Sequence, residues 1–113
     1  MSKTASLLTN LEFNSEKPMV TVLLETNNTK EIRIAMKTGN LMKKHQTPFP
    51  IVIEIFDGEI DFGLNNETLT LTRGDIIALE GAVPHDLKAT KDSIVRLTLT
   101  KHDKVERVKN VIS

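Results

Sequence analysis

The stretch that decides the fold is GNLMKKHQTPFPIVIEIFDG, residues 39–58. His45 lies in its polar first half, and the two prolines that follow exclude a helix. The largely apolar run over residues 51–56 has the length of a buried strand. Asp57-Gly58 is typical of a two-residue hairpin turn. The stretch therefore predicts extended chain carrying a histidine, then a buried strand that ends in a tight turn.

A second stretch, RGDIIALEGAVPH over residues 73–85, has similar features in the reverse order: a turn, a short apolar strand, a bend with a proline and then a histidine. Elsewhere, apolar and polar residues alternate with a period of two, and turn residues recur about every ten positions, as expected for an antiparallel sandwich or barrel. The predicted strands cover residues 19–24, 31–36, 41–47, 51–56, 59–64, 68–72, 76–79, 85–89 and 94–100. We expect one all-β domain over residues 1–113, with residues 1–16 as an arm or short edge strand and residues 102–113 as a tail or short helix.

The composition excludes several classes of function. Lys and Arg total 15, as do Asp and Glu, so no net charge draws the chain to nucleic acid or to an anionic membrane. The absence of Trp and Tyr argues against a stacking platform for single strands. The absence of Cys excludes disulfides, thiolate catalysis and thiolate metal ligands. We expect a cytoplasmic protein that binds neither nucleic acid nor membrane.

The stretch at residues 39–58 resembles the first motif of the cupin superfamily, which spaces a glycine, a His-x-His pair, a glutamate and a closing glycine along the chain. Gly39, His45 and Gly58 match this pattern. Thr47 stands at the position of the second histidine, and Ile51 stands at the position of the glutamate.

The stretch at residues 73–85 resembles the second cupin motif, with Gly74 and His85 at the expected separation of eleven residues. Three positions depart from it. Glu80 stands where the family has proline, Ala82 where it has glycine, and Ala89 where it has asparagine.

The resemblance spans residues 31–100 and implies a double-stranded β-helix, a jelly-roll or cupin-like barrel. It is strongest to minimal single-domain cupins, which often form homodimers. Of the four metal ligands that the family implies, His45 and His85 remain as candidates for a divalent metal such as Zn, Ni, Fe or Mn. Glu54 does not replace the missing carboxylate, because side-chain alternation puts it on the opposite face from Ile53. We therefore expect no cofactor, or a metal at low occupancy.

The candidate ligand-binding residues lie at the barrel mouth: Met42, His45, Thr47, Ile51, Ile53 and His85. The first hypothesis is a non-catalytic or weakly catalytic protein that binds a small molecule there. The alternatives are a metal-dependent enzyme of the dioxygenase or isomerase type using His45 and His85, and a sensor module acting through a partner protein. A homodimer is expected, because the run over residues 51–56 is apolar on both faces.

Overall fold

The computed structural model describes residues 2–101, which form nine β-strands in two sheets. The strands are β1 (Met19–Glu25), β2 (Thr29–Met36), β3 (Leu41–His45), β4 (Ile51–Asp57), β5 (Glu59–Gly63), β6 (Thr68–Thr72), β7 (Ile76–Leu79), β8 (His85–Ala89) and β9 (Ser93–Thr100). The tail predicted over residues 102–113 lies outside the described residues. Within the described range, no helix is long and apolar enough to cross a membrane.

The first sheet has the strand order β1-β2-β9-β4-β7, and the second has the order β3-β8-β5-β6. Every strand pair is antiparallel. Within residues 2–101 the chain crosses between the sheets six times, and two of these crossings, from β3 to β4 and from β7 to β8, adjoin the histidines. These two connections place the ends of β3 and β8, with their histidines, beside each other at one end of the barrel.

The core lies between the sheets and follows the predicted alternation. On β4, Ile51, Ile53 and Ile55 are buried, whereas the intervening side chains are half-buried on the outer face. Glu54 is one of these outward residues, as the spacing predicts, and its carboxylate accepts a hydrogen bond of 2.8 Å from Arg96 Nε on β9. Burying the inner apolar set is the main driving force for folding.

Residues 2–18 precede β1 and form no strand. Arg33 on β2 points toward this arm and is only 4% exposed. One guanidinium nitrogen donates hydrogen bonds to the carbonyls of Leu7 and Thr9, and the other donates to the carbonyl of Asn10. Arg33 therefore attaches the arm to the outer face of the first sheet with three hydrogen bonds. Two side chains add one bond each, from Lys3 to the carbonyl of Glu25 and from Asn40 to the carbonyl of Ser15.

Candidate functional site

A β-bulge in β3 shapes one wall of the site. Met42 pairs with Leu87 and His45 with His85, so β3 has one residue more than β8 between the two pairs. In a regular strand, positions 42 and 45 would face opposite sides. The bulge turns both side chains inward and leaves the two intervening lysines exposed.

The two histidines meet at the centre of the site. Their ring centroids are 4.3 Å apart, with an angle of 57° between the ring planes. His45 Nδ1 lies 2.7 Å from the carbonyl oxygen of Lys43, and His85 Nδ1 lies 2.9 Å from that of Val83. A carbonyl can only accept a hydrogen bond, so each Nδ1 carries the proton. In the neutral ring, each Nε2 is then a free acceptor.

The surroundings favour the neutral form of both rings. Burial is the main cause that lowers the pKa of His45, partly offset by its bond to the Lys43 carbonyl and by the charge of Asp86. Burial also lowers the pKa of His85, and the neighbouring His45 lowers it further. Phe62 stacks on His85 at a centroid distance of 5.6 Å, which fixes that ring against the core.

Thr47 stands where the resemblance implies a second metal-binding histidine. Its side chain is buried, and its hydroxyl donates a hydrogen bond of 2.7 Å to the carbonyl oxygen of Phe49. The only hydroxyl proton is therefore used within the loop, which leaves oxygen lone pairs on Thr47.

These side chains surround a cavity of about 20 Å³ between the sheets. Such a volume holds one water molecule. The cavity is lined by Ile34, Met42, His45, Thr47, Ile51, Ile53, His85, Leu87, Val95, Leu97 and Leu99. All six residues singled out from the sequence are among them. The remaining five come from β2, β8 and β9, and the inward parity of those strands was the signal that could have found them.

Two loops meet at the mouth of this cavity. The backbone N–H of Ala82, between β7 and β8, donates a hydrogen bond of 2.6 Å to the carbonyl of Thr47, between β3 and β4. Gly81 passes so close to Pro48 that a Cβ atom would collide with the Pro48 carbonyl. We call this contact the mouth clasp, defined by Thr47, Pro48, Gly81 and Ala82.

The residues present do not fit the metal centre that the resemblance implies. No group of three or more His, Asp or Glu side chains able to hold a metal occurs in residues 2–101. Glu54 points outward to Arg96, and Asp86 lies on the outer side of β8, where its carboxylate lies against Gly63. Catalytic zinc uses three protein ligands, and non-haem iron uses two histidines with a carboxylate. His45 and His85 alone supply neither set.

No protein-family model matches this chain, and no similar curated protein is found. Solved structures do match. An RmlC-like cupin from Desulfovibrio desulfuricans superposes with a TM-score of 0.80 at 21% identity, covering 88% of this chain and 97% of that one. An RmlC-like cupin from Shewanella frigidimarina gives 0.76 at 17% identity, covering 94% and 96%. A double-stranded β-helix protein from Klebsiella pneumoniae also gives 0.76, at 18% identity, covering 88% and 90%.

These similarities confirm the fold expected from the sequence. The chain is an all-β, double-stranded β-helix protein with the cupin fold. Within that class, it is a small barrel with one buried histidine, His85, beside the half-buried His45, and without the acidic ligand of the family motif.

Proposed function

We propose that this chain is a small-ligand-binding protein, with little or no catalytic activity, whose ligand contacts His45 and His85 at the barrel mouth. The observation that supports this is the pair of imidazoles turned into one apolar cavity, each with Nδ1 bonded to a backbone carbonyl so that Nε2 is the acceptor of the neutral ring. Apolar pockets with a few converging polar groups are the usual form of a small-molecule site. No cysteine is present to act as a nucleophile.

Thermal unfolding in the presence of a metabolite library tests this proposal. A binder should raise the melting temperature of the wild type, because a ligand that binds only the folded state stabilises it by mass action. The shift should disappear in His45→Ala and persist in Lys44→Ala, which removes a neighbouring exposed side chain on the same strand.

A parallel titration with Zn, Ni, Fe and Mn separates this proposal from the metal-dependent enzyme. We expect no stoichiometric binding to the wild type. Near-stoichiometric metal that is lost in His45→Ala would contradict the proposal, and would favour an enzyme whose coordination is completed by water or substrate. Each Nδ1 already donates to a carbonyl, as it does in many metal-bound histidines, so this outcome has a structural basis.

We also infer that the functional form is a homodimer. The outer face of the first sheet supports this inference, because Val52 and Phe56 are half-buried there and Ile76 on the edge strand β7 is 62% exposed. A second copy is the partner whose matching apolar face could cover them.

A further inference from the structure

The three polar side chains of the cavity have all used their hydrogen-bond donors. His45 and His85 donate from Nδ1 to the carbonyls of Lys43 and Val83. Thr47 donates from its hydroxyl to Phe49. What these residues present to the cavity is therefore a set of lone pairs.

The rest of the lining adds no donor. It consists of the aliphatic side chains of Ile34, Met42, Ile51, Ile53, Leu87, Val95, Leu97 and Leu99. No Lys or Arg is among the lining residues, and neither imidazole Nε2 has a hydrogen-bond partner within residues 2–101. The pocket thus combines an apolar wall with hydrogen-bond acceptors alone.

We propose that this pocket selects a neutral molecule with one O–H or N–H donor on a compact apolar body, such as an alcohol, a phenol or an azole, and rejects carboxylates and phosphates. This inference rests on the proposed function and specifies its ligand class.

The cost of desolvation gives the reason for this selectivity. An anion placed against lone pairs and aliphatic carbon loses its water and gains no donor, which costs several kcal/mol. A molecule that covers the imidazole acceptors without donating to them cuts them off from water unpaired, and that penalty is about 1–3 kcal/mol. A donor group satisfies both requirements.

The size of the cavity points the same way. Its volume of about 20 Å³ accepts a hydroxyl group, which is close in size to water, more readily than the two oxygens of a carboxylate. The apolar body would then lie at the mouth, beside the loops that form the mouth clasp. A hydroxyl there donates its one hydrogen bond to an Nε2 atom, in place of one of the two that a water molecule could donate.

Three probes of the same ring size test the inference: phenol, anisole and benzoate. Each is titrated into the wild type, with binding measured by backbone amide shifts and the ring nitrogens of His45 and His85 followed by long-range proton–nitrogen NMR. We expect phenol to bind at least 10-fold more tightly than anisole or benzoate, and to perturb both Nε2 signals. In His45→Phe the preference for phenol over anisole should fall severalfold.

The outcomes separate the two proposals. Equal binding of anisole and phenol, or tighter binding of benzoate, would overturn the donor rule while leaving the pocket as a binding site. No binding of any probe near the histidines would overturn the proposed function itself, and the donor rule with it. If His45→Phe does not fold, the donor rule is still tested by the affinities of the wild type for phenol, anisole and benzoate and by its Nε2 signals.

Discussion

Ala82 has a left-handed backbone, with φ at 65°, at the position where the cupin motif has glycine. Such a conformation costs a residue with a side chain about 1–2 kcal/mol. Alanine therefore occupies a backbone conformation suited to glycine, and the result is local strain beside the mouth clasp.

Ala82→Gly should therefore raise the free energy of unfolding by about 0.5–1 kcal/mol, after the greater unfolded-state entropy of glycine is subtracted. Chemical denaturation monitored by circular dichroism measures the change. Ala78→Gly is the control, because Ala78 is also exposed but lies in the regular strand β7, where glycine should destabilise. A loss of stability in both variants would contradict the strain argument.

The histidine pair should make stability depend on pH. Burial lowers the pKa of His45 and of His85 in the folded state. As the pH falls below 6.5, the ordinary pKa of histidine, the unfolded chain therefore binds protons before the folded chain does. Above about pH 6.5, both states leave the rings neutral, and the contribution of each ring to the free energy of unfolding has its full value. It is lost as pH falls toward the folded-state pKa, by at most about 1.4 kcal/mol per histidine and pH unit.

Denaturation midpoints measured between about pH 7.5 and about pH 5.5 test this, since the window lies around the ordinary histidine pKa. The wild type should lose stability with acidification, and His45→Asn should lose less of it. Equal slopes in the two proteins would show that other groups control this range.

The sequence indicated six residues that prove to line one cavity, because glycine spacing and strand parity are local properties of the chain. It could not give the hydrogen bonds of Nδ1, which depend on ring rotation. Nor could it give the stacking of Phe62 on His85, which depends on how β5 pairs with β8. The size of the cavity also depends on packing across both sheets.

At the scale of the elements, the hairpin turns and most strand limits were predictable, and β7 and β8 have the predicted bounds. The bulge in β3 was not. Lys43 and Lys44 suit either a regular edge strand or a bulge, so only pairing with β8 decides between them. The inward position of both Met42 and His45 depends on that extra residue.

Most of the hydrogen bonds that attach the arm to the barrel come from Arg33. Arg33→Met should release residues 2–16 from β2, because the carbonyls of Leu7, Thr9 and Asn10 lose their donors. Hydrogen exchange should rise several-fold across the arm while the barrel strands stay protected. Arg96→Met is the control, since Arg96 contacts Glu31 and Glu54 instead. Unchanged exchange in the arm would show that its apolar residues hold it without Arg33.

At the scale of the molecule, Ile76 tests the inferred homodimer. It is exposed on the outer face of the first sheet, beside Glu54 in the register of β4 and β7. Ile76→Lys should shift the molecule to monomers, because a lysine there would be desolvated at a covered apolar face. Sedimentation velocity measures the shift, with the exposed Lys88→Ala on the second sheet as control. A wild type that sediments as a monomer would contradict the dimer itself.

The mouth clasp also bears on the speed of ligand capture. Thr47 and Ala82 join the β3–β4 and β7–β8 loops, and the cavity that Thr47 lines with the two histidines holds about one water molecule. A guest whose apolar body passes beyond the mouth needs this backbone bond to open, so its measured affinity is the intrinsic affinity multiplied by the fraction of molecules that are open. Association should then level off at high guest concentration, at the opening rate of two short loops. The barrel would act as a gated receptor whose timing is set by the chain and not by diffusion.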